Sequence, residues 1–220
     1  MPSSIVVTTG NTSTVQLLCD AKSPYADTAD AAATRKSIST LLGHFELGSD
    51  AGPPFAFAPT KPDISPEIED FLKQLTVAAN AAAASGFCGS ILAGHTSEAD
   101  DYGDVAFYLG PGDYGPGHEQ DVLRSLGIEN FQDLMSNDVA SKKATQPVEL
   151  SSTDGLPTTG NIAADASSGD TVKRLRDILK QLSDRYAFCV PGPGVLVFYF
   201  LVGRSGASEW IGLAGIGVHS

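Results

Sequence analysis

The chain has 220 residues and a formal net charge of −12, from 26 acidic and 14 basic side chains. That length suits one domain, or one domain plus an extension, and can bury a core without disulfides. The charge argues against a nucleic-acid binder and against anionic membranes, both of which need a basic face.

The cysteines, Cys19, Cys88 and Cys189, form no C-x-x-C pair. An odd, sparse set suits free thiols in a reducing compartment. The N-terminus lacks a basic n-region and an apolar h-region, and no apolar run approaches the ~20 residues that span a bilayer. The expected location is cytoplasmic.

Residues 1–64 read as an N-terminal extension or strap. Ile5–Val7 and Val15–Leu18 are strand-like, with Gly10-Asn11 between them as a hairpin signal. Ala29–Leu42 carries Ile38, Leu41 and Leu42 at helical spacing and stops at Gly43. Gly52–Pro62 is proline-rich and extended.

A helix follows, with Ser65 as N-cap, Pro66 at its first position and Glu67 and Glu69 in its first turn. Its apolar stripe is Ile68, Phe71, Leu72, Leu75, Ala78, Ala79 and Ala82, and Gly86 is the expected C′ residue. Asp104–Leu109 reads as a strand, Gly110–Gly117 as a loop, and Val122–Leu126 and Ile128–Met135 as short helices. Residues 136–169 keep no period and read as a long loop.

The C-terminal block has the strongest pattern. Val172, Leu175, Ile178, Leu179 and Leu182 form one helical stripe, with Lys173, Arg174, Arg176, Lys180 and Arg185 on the other face. Val195–Val202 is a continuous apolar, β-branched and aromatic run, a buried strand. Gly203–Gly206 is a turn, and Trp210–Val218 is a second strand thinned by glycine. The expected compact domain is 65–220, α+β, with helices on both faces of a mainly antiparallel sheet.

Catalytic signatures are weak. Two prolines and Asp113 spoil the glycine-rich 110–117 loop as a phosphate cradle. His44, His95, His118 and His219 have no ligand spacing. Gly203-Arg-Ser-Gly-Ala is no nucleophile elbow. The expectation is no enzyme, no cofactor and no metal of its own. Charge placement stands out instead: Glu98, Asp100, Asp101, Asp104, Asp113, Glu119, Asp121, Glu129, Asp133 and Asp138 face only Arg124 in that interval. A single strongly negative face would steer toward a basic groove.

The order of several short motifs resembles the nuclease A inhibitor family. The cues are Leu175-x-x-Ile-Leu-Lys-Gln-Leu182, the apolar strand ending in Val202-Gly203, and Gly212-Leu-Ala-Gly-Ile216. Upstream, the 68–84 helix, Thr96–Gly110 and Ile128–Met135 keep the family's order. The resemblance covers about 155 residues and leaves out 1–64. It implies a three-layer α-β-α sandwich that inhibits non-specific, metal-dependent DNA/RNA endonucleases. It further implies a partner-binding set of Glu98, Asp100, Asp101 and Tyr102, with Ser220 reaching toward the partner's metal. The expected partner is a basic endonuclease, with no nucleic acid or membrane bound. The chain departs from the family in a shorter tail after Ile216 and in a longer 136–169 loop that lacks tryptophan. The alternative is a non-catalytic interaction or scaffold domain of the same fold.

Overall fold

The computed structural model describes residues 3–8, 14–20, 29–43, 52–59, 64–94, 101–128, 145–152, 155–158 and 169–218. Their elements are, in order, β1 (Ser3–Thr8), β2 (Thr14–Cys19), α1 (Ala29–Leu42), β3 (Pro54–Pro59), α2 (Pro66–Ser85) and β4 (Val105–Pro111). Then come α3 (Glu119–Ser125), β5 (Gln146–Val148), α4 (Asp170–Leu179), β6 (Leu182–Pro191), β7 (Leu196–Ser205) and β8 (Glu209–Val218). The fold is α+β. All eight of these strands join one sheet in the order β1-β2-β3-β4-β8-β7-β6-β5, antiparallel except for the β3–β4 pair.

Residues 1–64 are not set apart from that sheet: they supply β1, β2 and β3. The proline-rich stretch expected as a strap is β3, paired on both sides. Its prolines, Pro54 and Pro59, stand at its two ends, where a missing N–H disturbs the ladder least. Between them Phe55, Ala56, Phe57 and Ala58 are buried. Two parallel neighbours need a long crossover, and α2 is that connection.

Period-two alternation divides the core. Ala106, Tyr108, Tyr199, Leu201, Ile211 and Leu213 share one apolar cluster with Leu72 and Leu75 of α2 and Leu175 and Leu179 of α4. Val105, Phe107, Phe198, Phe200, Val202 and Ile216 share the other with Ile38 and Leu41 of α1 and Val122 and Leu123 of α3. Burying each large aliphatic side chain contributes ~1.5–3 kcal/mol.

Three expectations are corrected. The C-terminal helix ends at Leu179, so Leu182 and Arg185 lie on β6, a strand hidden behind the basic, helix-favouring stretch before it. The long loop contains β5, held by β6 through Gln146↔Cys189 to Val148↔Ala187. Gly203–Ser205 continue β7 rather than turning. The helix expected at 128–135 lies almost wholly outside the described residues.

Candidate protein-binding surface

The sheet register fixes which segments meet. Val105 pairs with Ala214, so β8 runs past the start of β4 toward Val218. Val218 pairs with Leu196, the first residue of β7. Asp101, Tyr102, Val195 and the last described residues of β8 therefore share one end of the sheet. Pro111 pairs with Glu209, and Asp113, Glu119 and Asp121 follow at the other end. At ~3.3 Å per residue, the two ends of β4 are about 20 Å apart.

The described surface carboxylates of the 97–138 interval do not lie together: Asp101 is at one end, and Asp113, Glu119 and Asp121 are at the other. Asp104 is on neither surface. It is fully buried, and burial raises its carboxyl from the ordinary 3.8 to about 6, opposed by hydrogen bonds from Ser90 and from the Ile91 and Leu92 backbone. Ser90 Oγ donates to one carboxylate oxygen at 2.7 Å, and the Ile91 amide donates to the other at 2.6 Å.

The same network ties α2 to the sheet. Thr76 Oγ1 donates to the Phe55 carbonyl at 2.6 Å and accepts the Ala106 amide at 2.8 Å, so one hydroxyl spans the parallel strands. Ser37 of α1 donates to the Gly103 carbonyl at 2.6 Å. Neither Asn80 nor Thr76 belongs to the apolar stripe by which the sequence marks this helix. The visible signal was two polar residues four apart, beside the apolar stripe.

Of the predicted contact residues, Glu98, Asp100 and Ser220 lie outside the described residues. Asp101 is exposed, and Lys36 Nζ of α1 donates to it at 2.6 Å. The same ammonium stands 4.7 Å from the centre of the Tyr102 ring. Tyr102 is half-buried and packs against the cluster that contains Phe107. The structure thus joins Asp101 and Tyr102 around one lysine, which masks part of the charge the pair was expected to present.

One residue was missed. Phe87 is 90% exposed and has φ +54°. Its amide bonds the Ala84 carbonyl at 3.2 Å and the Cys88 amide bonds the Ala83 carbonyl at 3.0 Å. That is the Schellman pattern with Phe87 at C′, the left-handed position usually given to glycine. Gly86, the expected C′ residue, keeps φ −91°. Ser90, three residues on, holds Asp104, so Phe87 belongs to the end of the sheet that carries Asp101. Val195, 54% exposed, is at that end too.

Among the described residues, no three His, Cys, Asp or Glu side chains group as metal ligands, and no helix is long and apolar enough to cross a membrane. At the opposite end His118 stands between Asp113 (3.3 Å) and Asp121 (3.1 Å), and Asp121 also takes Arg124 at 2.6 Å. Cys19 is a free thiol that burial pushes up to about 11, which leaves it protonated and unreactive at neutral pH. No protein-family model matches the chain, and no curated protein matches it.

Proposed function

We propose that this chain is a non-catalytic binding protein, built as a three-layer α-β-α sandwich, that blocks the active-site groove of a basic, metal-dependent nuclease. The layering is supported by the two apolar clusters: α2 and α4 share one with the sheet, and α1 and α3 share the other. The binding surface is the sheet end that holds Asp101, Tyr102, Phe87 and the C-terminal end of β8. The observation that carries the reading is the β4–β8 register, which brings Asp101 and the C-terminal end of β8 to that one end. There, carboxylates stand in for phosphates and would speed association with a basic groove.

A second reading is favoured by Phe87. An exposed aromatic ring in a strained backbone, at the sheet end that also exposes Val195, is the kind of anchor that any protein partner can use. On this reading the chain is an interaction domain whose target is not a nuclease.

The experiment is plasmid cleavage by a panel of metal-dependent nucleases with the protein added. Inhibition that is lost in Glu98→Ala/Asp101→Ala supports the first reading. Failure to inhibit any nuclease, or full inhibition by the double variant, removes it. A pull-down whose partner is lost with Phe87→Ser then supports the second.

A further inference from the structure

A cleft of about 150 Å³ opens where the first turns of α1, the start of β3, the middle of α2 and α4 converge. Its walls are apolar: Ala31, Pro53, Pro54, Phe55, Val77 and Ala81. Two cations, Lys73 and Arg174, also line it. Asp20 already pairs with Lys73, whereas Arg174, exposed on α4, has no ion-pair partner among the described residues. In a chain of net charge −12, that guanidinium is a local positive site against an apolar wall.

The polar groups of the lining are unequal. Thr76 spends its hydroxyl on the Phe55 carbonyl and the Ala106 amide. Asn80 spends its amide on Thr76, Thr34 and Asp104. Thr34 differs. It is 3% exposed and accepts from Asn80 at 3.4 Å, yet its own O–H finds no acceptor among the described residues. A buried donor without an acceptor is destabilising, a penalty that a ligand oxygen in the cleft would remove.

We propose that this cleft is a binding site for a small monocarboxylate with an apolar body. The carboxylate meets Arg174, the body lies against Phe55 and Val77, and an acceptor on the body faces Thr34. A cavity of this size holds a benzene-sized group, so the ligand has roughly six to eight carbon atoms. Phosphates and dinucleotides are too large or too polar for these walls. The site does not depend on the nuclease reading: a protein that inhibits no nuclease can still fill it, and an inhibitor can lack it.

The test is amide-shift NMR and calorimetry on the full chain with benzoate, 4-hydroxybenzoate and 4-methylvalerate, and with benzyl alcohol and inorganic phosphate as controls. The expected result is saturable shifts at Thr34, Val77 and Arg174 with the carboxylates. Benzyl alcohol should bind at least about tenfold more weakly, as should benzoate to Arg174→Gln, a loss of about 1.4 kcal/mol. 4-Hydroxybenzoate should lose its advantage over benzoate in Thr34→Val. Val77→Trp fills the cleft and should abolish binding, and its thermal midpoint shows whether it folds. If it does not fold, Ala81→Leu takes its place. No saturable shift with any carboxylate, equal binding of benzyl alcohol, or shifts that persist in the filled variant would overturn the proposal.

Discussion

The side chain of Asn80 treats Asp104 as a neighbouring strand would. Asn80 Oδ1 accepts the Asp104 amide at 3.0 Å, and Asn80 Nδ2 donates to the Asp104 carbonyl at 2.8 Å. A helix side chain thus completes the backbone pairing of β4 one residue before the ladder begins. Asn80→Ala leaves both backbone groups buried and unsatisfied. The expected loss is roughly 2–4 kcal/mol, read as a lower urea midpoint with an unchanged slope. Asn80→Asp keeps the acceptor only and should fall between wild type and the alanine variant.

Asp104 gives the protein a pH dependence of defined sign. Its folded value, about 6, lies above the ordinary 3.8, so between those values the folded state holds more protons than the unfolded one. Stability from this group is full below about pH 4, falls as pH rises to about 6, and is constant beyond. A shift of that size corresponds to about 3 kcal/mol. Asp104→Asn should lack this fall, so the advantage of wild type over the variant shrinks across the window. Chemical denaturation at pH 4, 5, 6 and 7 measures it, and parallel curves for the two proteins would sink the assignment.

Gly212 and Gly215 are held by crowding, not by turns. A Cβ at Gly212 would press on the Phe107 ring and stand 2.5 Å from the Leu201 carbonyl oxygen. One at Gly215 would meet Ser90 Oγ and stand 2.5 Å from the Asp104 carboxylate. Alanine at either position should cost about 1–3 kcal/mol, and more at Gly212, where the neighbour is backbone. Thermal midpoints of Gly212→Ala and Gly215→Ala test the order.

Phe87 has strain and no packing to lose. Its left-handed backbone costs about 1 kcal/mol, which glycine avoids at some cost in unfolded-state entropy. Phe87→Gly should be at least as stable as wild type while partner capture falls. A clear drop in thermal midpoint would show that the ring is packed in solution.

Lys36→Ala separates stability from binding. The Lys36–Asp101 pair is exposed on both sides, so its removal should change stability by less than about 1 kcal/mol. If the acidic segment recruits a basic partner, unmasking Asp101 should raise the association rate, more so at low salt. Stopped-flow association at two salt concentrations checks this.

Much of the fold was written in local pattern. Ser65-Pro66 starts α2, and Ser65 Oγ accepts the Ile68 amide at 3.4 Å. Residues 196–202 of the apolar run 195–202 lie in β7, and Gly43, with φ +81°, follows the last turn of α1. Those signals are complete within a few residues, because caps, turns and periodicity depend on near neighbours. Strand β6 and the short β5 carried no such signal: β5 exists because β6 offers an edge, and β6 starts where a helical stripe would have continued.

Sequence alone determined that this chain folds with an amphipathic α2, two long C-terminal strands and an acidic excess, since each of these follows from residue order or count. Only the tertiary structure decided that β3 is an inner strand, that Asp104 is buried while Asp101 pairs with Lys36, and that Phe87 and Val195 share an end with both. Register and burial set those outcomes, because they bring together residues tens of positions apart, and no local pattern encodes which distant partner a strand will accept.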